Sequence, residues 1–231
     1  MSFLQKGTGK DLLFLHGYLS DKNAFSLQIR YFAKYFRVTA IDFLGFGESG
    51  KLNAPFSVTD YANWTKEVLT ALGVQTPHVV AHSFGCRVAV KLASLYPNTL
   101  DKMVLTGPAG IILPRGIRYK CKVGAYRLCK KLFPKMAEKK FGSKEYRQLS
   151  PLMRESYKKI VNEDLREDAS KVQNPVLIIE GRRDTTTTLR EAEIYEKSFP
   201  NARLRVMEGG HFAFVDNPLQ FNILTEEFLY E

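Results

Sequence analysis

Six short apolar runs, Asp11 to Leu15, Arg37 to Phe43, His78 to His82, Lys102 to Thr106, Pro175 to Glu180 and Arg203 to Met207, punctuate this chain at intervals. Each is rich in Val, Ile and Leu and bounded by Gly, Pro or Asn, the signature of a strand buried on both faces. Amphipathic stretches lie between them, near Ala24 to Tyr35, Val58 to Leu72, Gly85 to Leu95, Leu189 to Phe199 and Pro218 to Tyr230. Strands that alternate with helices are joined by crossovers. The pattern therefore predicts an α/β fold, a mostly parallel sheet with helices on both faces.

The alternation fails once. From Gly110 to Val172 the sequence is helical, basic and without a convincing strand, which divides the chain into a core, residues 1–109 and 173–231, and a helical insertion, residues 110–172. On a helical wheel Ile117, Cys121, Gly124, Ala125, Leu128 and Leu132 form one narrow apolar stripe, with basic residues on the remaining arc. Leu149, Leu152, Met153, Ile160 and Val161 suggest a second helix in the same insertion.

Composition narrows the function classes. With 231 residues, 45% of them hydrophobic and 25% charged, the chain can bury one sizeable core. No apolar run approaches the ~18 residues of a membrane-spanning helix, and the polar start, Met1 to Lys10, carries no secretory pattern, so the expected location is cytoplasmic. The net charge of +10 would ordinarily raise nucleic acid as a partner. Between Ile111 and Lys140, however, there are ten basic residues against the single acid Glu138, so the charge belongs to one segment and no nucleic-acid partner is expected. Cys86, Cys121 and Cys129 lack metal-ligand spacing, and the latter two would stand about 12 Å apart along one helix, too far to bridge. The reading is three reduced thiols, with no metal and no cofactor.

The segment Val79-Val80-Ala81-His82-Ser83-Phe84-Gly85-Cys86 carries the most chemistry. A strand runs into a serine and then directly into a helix. So sharp a turn needs small residues two before and two after the serine, and Ala81 and Gly85 supply them. Ser83 Oγ would then stand at the carboxyl edge of the sheet, and the Phe84 N–H, opening the helix, could donate to an oxyanion. A helix-capping serine would look similar. A hydroxyl is a weak nucleophile, so catalysis would need a histidine to take its proton and a carboxylate to orient that histidine. Of the four histidines, His211 follows the last strand in a Gly-rich loop. Asp184 follows the strand ending near Glu180 through Gly181-Arg182-Arg183. Glu180, still within that strand, and Asp216, placed to cap the last helix, are its rivals.

In the order Ser83, Asp184, His211 the sequence resembles the α/β-hydrolase superfamily. Leu15-His16-Gly17-Tyr18 is similar to that family's His-Gly oxyanion loop, which would put a second oxyanion N–H on Tyr18. Asp42-Phe43-Leu44-Gly45-Phe46-Gly47-Glu48-Ser49 resembles its structural Asp-x-x-Gly-x-Gly-x-Ser turn, and Gly210-His211-Phe212 with Asn217-Pro218 its histidine loop. The insertion sits where the family carries a cap. Departures are Ala81 for the first Gly of the elbow, Cys86 where many members have Gly, Thr185 to Thr188 after the acid, and few residues before the first core strand, as if the family's N-terminal antiparallel strands were truncated.

The resemblance implies hydrolysis of a carboxylic ester or thioester through an acyl-enzyme on Ser83. The alternatives are a C–C bond hydrolase or lyase on the same scaffold, or a non-catalytic, receptor-like member. The implied pocket lies between sheet edge and cap, with Tyr18, Phe84, His16, Phe212, Ile117 and Leu128 against the substrate, and suits a hydrophobic acyl group. The basic arc leaves three options: an anionic substrate, contact with an anionic lipid surface, or a solvated face. Arg182 and Arg183 are further candidates for anion contact.

Overall fold

In the computed structural model the described residues are 1–114, 146 and 149–231. They form a seven-stranded sheet: β1 (Ser2–Lys6), β2 (Asp11–Leu15), β3 (Arg37–Asp42), β4 (His78–His82), β5 (Met103–Thr106), β6 (Val176–Gly181) and β7 (Ala202–Met207). The spatial order is β1-β3-β2-β4-β5-β6-β7. β1 runs antiparallel to β3 and every other pair is parallel. The six sequence-read strands are all present. β1 is an addition, one antiparallel strand ahead of the first parallel one: Phe3 pairs with Ile41 and Lys6 with Val38.

Helices cover both faces. On one side α2 (Val58–Ala71), α3 (Phe84–Leu95), α5 (Arg166–Lys171) and α6 (Leu189–Ser198) pack on Leu13, Ile41, Val79, Leu105 and Ile178. On the other, α1 (Ser26–Phe32), the short α7 (Ala213–Asp216) and α8 (Pro218–Tyr230) cover Leu12, Phe14, Val80, Val104 and Leu177. Neighbouring residues along each strand thus feed opposite cores, which is why β2, β4 and β6 are buried throughout and apolar at all but a few positions.

Between β5 and β6 the described residues hold no strand. They contain α4 (Pro151–Val161), capped by Ser150, whose hydroxyl accepts from the Met153 N–H, and then α5. Met153 and Ile160 turn inward, as their spacing predicts. Ile117, Leu128 and the basic segment lie outside the described residues. Among the described residues no helix is long and apolar enough to cross a membrane.

The strand order places a site. The strand order reverses between β2 and β4, since β3 lies on one side of β2 and all later strands on the other. Loops leaving the carboxyl ends at such a reversal diverge to opposite faces and open a crevice. The loops after β2 and β4 are the His16-Gly17-Tyr18 segment and the Ser83 turn.

Candidate active site

Ser83 is held at φ +51°, a conformation that L-residues rarely adopt and that costs of order 1–3 kcal/mol. Its N–H bonds the Thr106 carbonyl on β5 at 3.1 Å, its carbonyl accepts from Cys86 N, and its side chain makes no capping bond. The helix-capping alternative is thereby removed, and Ser83 sits at the wall of a cavity. Gly85 shows why the turn demands a glycine. A Cβ there would come within 2.3 Å of the Leu15 carbonyl oxygen, because α3 leaves the elbow pressed against the end of β2. Cys86 is a packed small residue: it is fully buried, its thiol donates to the Ala81 carbonyl, and burial pushes its pKa up.

Asp184 and His211 meet. His211 Nδ1 lies 2.7 Å from Asp184 Oδ2, so the ring donates from Nδ1 and Nε2 keeps its lone pair. Burial alone would raise the Asp184 pKa, but His211, the N–H groups of Thr186 and Thr187 and the Thr187 hydroxyl outweigh it, holding the carboxyl down at about 2. Thr187 Oγ1 is also 3.2 Å from His211 Nδ1. The Thr run after the acid, a departure by sequence, thus supplies hydrogen bonds to the pair. Of the rivals, Glu180 is buried at the end of β6, and Asp216 accepts from the Gly210 N–H. Asp216 does not cap α8; Asn217 does, accepting from Gln220 N.

A second histidine ties the elbow to the histidine loop. His82 Nε2 is 2.9 Å from the His211 carbonyl oxygen, which only an N–H can satisfy, so the ring is protonated there. Burial brings the His82 pKa down to about 3. Its ring packs against those of His211 and Phe212, at 4.6 and 4.9 Å between centroids.

The cavity holds about 440 Å³, within the range of small-molecule sites. Ser83, Phe84, His211, Gly17, Tyr18 and Phe212 line it, with Leu149, Tyr157, Ile160 and Val161 from the segment between β5 and β6. Tyr18 reaches across: its ring packs edge-on against Phe84 and its hydroxyl donates to the Met153 carbonyl on α4. His16 is a correction. It is 1% exposed and off the cavity wall; Nδ1 donates to the Gly17 carbonyl and Nε2 accepts from Phe43 N, so it fixes the loop's path rather than facing the cavity. Arg182 and Arg183 pair with Glu208 in solvent. The Asp42 turn is structural, as read: Asp42 accepts from the N–H groups of Lys22 and Glu48, and a Cβ on Gly47 would strike its carboxyl at 2.4 Å. Sequence reasoning missed Arg87 on the cavity wall, although a charged residue on the otherwise apolar first turns of α3 was its signal. Among the described residues no group of three His, Cys, Asp or Glu could hold a metal ion.

Residues 11–120 match the family model for the alpha/beta hydrolase fold. A 2-hydroxymuconate semialdehyde hydrolase of Pseudomonas putida is 28% identical over 84% of this chain and 77% of its own. An esterase from Exiguobacterium antarcticum superposes with TM-score 0.81 at 22% identity, over 99% of this chain and 95% of that one. A meta-cleavage product hydrolase from Pseudomonas fluorescens gives 0.77 at 23%, over 99% and 93%. The strand order, the strained serine turn and these likenesses agree: the chain is an α/β-hydrolase-fold protein.

Proposed function

We propose that the chain is a serine hydrolase acting on a carboxylic ester or thioester with a largely apolar acyl group. Ser83 Oγ attacks the acyl carbon while His211 Nε2 takes its proton. Asp184 holds the ring in the required tautomer and stabilises the imidazolium. The oxyanion lies against the backbone N–H groups of Phe84, where the dipole of α3 adds to the field, and of Tyr18. His211 then returns the proton to the leaving group, and water attacks the acyl-serine by the same route in reverse. The observation that carries this reading is the 2.7 Å bond from His211 to Asp184, on the wall of the cavity into which the strained Ser83 projects.

Intact-mass analysis after exposure to a fluorophosphonate tests it, since only an activated serine reacts quickly. The expected result is one adduct on the native protein and none on Ser83→Ala. No adduct on a protein whose thermal melt shows it folded would overturn the reading and favour a ligand-binding member of the fold. The likeness to a semialdehyde hydrolase and a meta-cleavage product hydrolase supports a second reading, C–C bond hydrolysis with the same three residues. A substrate panel separates the two: turnover of a vinylogous diketo acid in preference to simple esters would select the C–C reading.

A further inference from the structure

Arg87 lies one helical turn beyond Ser83 on α3, about 6 Å further along the axis. It is 6% exposed, yet it forms part of the cavity wall. A guanidinium so buried is expensive unless an anion compensates it. Among the described residues no carboxylate stands within ion-pair distance. Glu163 and Asp164, whose charges reach Arg87 without an ion pair, and Glu191 on the wall of the adjoining cavity are engaged elsewhere. Glu163 binds Lys91 at 2.8 Å, Asp164 binds Arg166 at 2.7 Å, and Glu191 caps α6 through Thr188. The bond described for Arg87 runs from Nη1 to the Glu163 carbonyl oxygen, 2.7 Å. That anchor fixes the side chain and leaves the Nε and Nη2 edge of the fork, the edge that meets a planar carboxylate with two parallel bonds.

Its position is as informative as its charge. A smaller cavity of about 240 Å³ adjoins the one at Ser83, and Arg87, Ala109, Val161, Thr186 and Thr187 border both. Arg87 thus stands where the Ser83 cavity meets the smaller one, in company with Val161, Thr186 and Thr187.

We propose that Arg87 is a subsite for a carboxylate at the distal end of the acyl group, so that the substrates are monoesters or monothioesters of dicarboxylic acids. This rests on the reading of Ser83 as nucleophile. The ester end meets Ser83 and the apolar stretch crosses the cavity. The free carboxylate pairs with a guanidinium that is fixed in place before the substrate arrives.

The test compares p-nitrophenyl hemiesters of glutaric, adipic and suberic acids with p-nitrophenyl esters of the same length ending in a carboxamide. The expected kcat/KM favours the acid over the amide, at the best chain length, by roughly 10- to 10³-fold, the range for a buried charge pair. In Arg87→Gln the ratio falls to about one, and Arg87→Lys restores part of it. A native ratio of one or below at every length overturns the proposal, as does a ratio that survives in Arg87→Gln. A readout without catalysis runs in parallel. The free diacid should raise the thermal midpoint of the native protein and the matching diamide should not, and Arg87→Gln should lose that shift. If no ester turns over, the nucleophile reading has failed and the diacid shift decides the subsite on its own. If Arg87→Gln does not fold, the native acid-to-amide ratio and the native shift decide it together.

Discussion

Glu180 ends in the apolar core one residue before the loop that carries Asp184, and the two carboxyls titrate far apart. Burial first, then the neighbouring charge of Asp184, push Glu180 up to about 9, while His211 and the Thr187 bonds hold Asp184 at about 2. At neutral pH Glu180 is therefore a neutral acid. Its Oε1 accepts from the Gly181 N–H, and Oε2 is buried without a partner among the described residues. The sign of the linkage follows. The unfolded carboxyl loses its proton near 4.5 and the folded one near 9, so the stability associated with the bound proton is complete below 4.5 and drains away as pH rises towards 9. Glu180→Gln carries no such proton. Its melting temperature relative to the native protein should rise steadily from pH 5 to pH 9, measured by thermal melts at each pH; a difference that stays flat would mean that Glu180 is ionised in the fold.

At the scale of elements, α3 and the end of β2 meet so closely that one methyl group decides the geometry. Gly85→Ala puts a Cβ 2.3 Å from the Leu15 carbonyl oxygen and 2.8 Å from that of His16, both backbone atoms. Overpacking of this kind costs typically 1–3 kcal/mol. A urea midpoint unchanged by the substitution would show that the helix can move away at no cost. Because the clash lies between the Ser83 turn and the Tyr18 loop, the variant should also label more slowly with fluorophosphonate. The elements that were legible in the sequence share this tightness. β2 and β4 are buried at every position, so their composition alone declares them. β1, Ser2-Phe3-Leu4-Gln5-Lys6, is an exposed edge strand held by pairing with β3, and pairing leaves no composition signal. α5 is a short helix of six residues, Arg166–Lys171, with only Ala169 buried, too short for periodicity to register. That Ser83, Asp184 and His211 would fall at one edge of the sheet was legible because strand ends and loop glycines fix their places. His16 and Arg87 were misread or missed for one reason: sequence gives the element but not which way a side chain on it turns.

Across the whole molecule, the buried histidines set the response to acid. His78, His82 and His16 are each at most 2% exposed, and burial lowers all three pKa values, His78 to about 4 and His82 to about 3. In the unfolded chain each titrates near 6.5, so below that pH the unfolded state binds protons that the fold refuses. A depressed pKa confers stability that is complete above the unfolded value and is lost as pH falls through the folded one. With His78 and His82 alone, the slope approaches about 2.7 kcal/mol per pH unit between roughly pH 6 and pH 4, and the proton held by Glu180 offsets about 1.4 kcal/mol per unit of it down to pH 4.5. Asp184, held at about 2, adds its own loss only below the ordinary carboxylate range. A chain with a net charge of +10 gains further self-repulsion as it takes up protons, which acts in the same direction. Acid unfolding should therefore begin near pH 6, two units above where carboxylate protonation alone would start it. Urea midpoints at pH 7, 6, 5 and 4 measure this, and a midpoint constant from pH 7 to pH 5 would refute it. His78→Gln should recover part of the loss, about 1.4 kcal/mol per pH unit between pH 6 and pH 4, because it removes one of the refused protons and leaves the His82 bond to the His211 carbonyl in place. The remainder belongs to His16 and His82, and the second proton of His82 would have to enter at Nδ1, buried without a partner among the described residues and set against Gly17. The loss of fold in acid thus passes through the same turn that holds Ser83, so fluorophosphonate labelling should decline over the same pH interval as the urea midpoint.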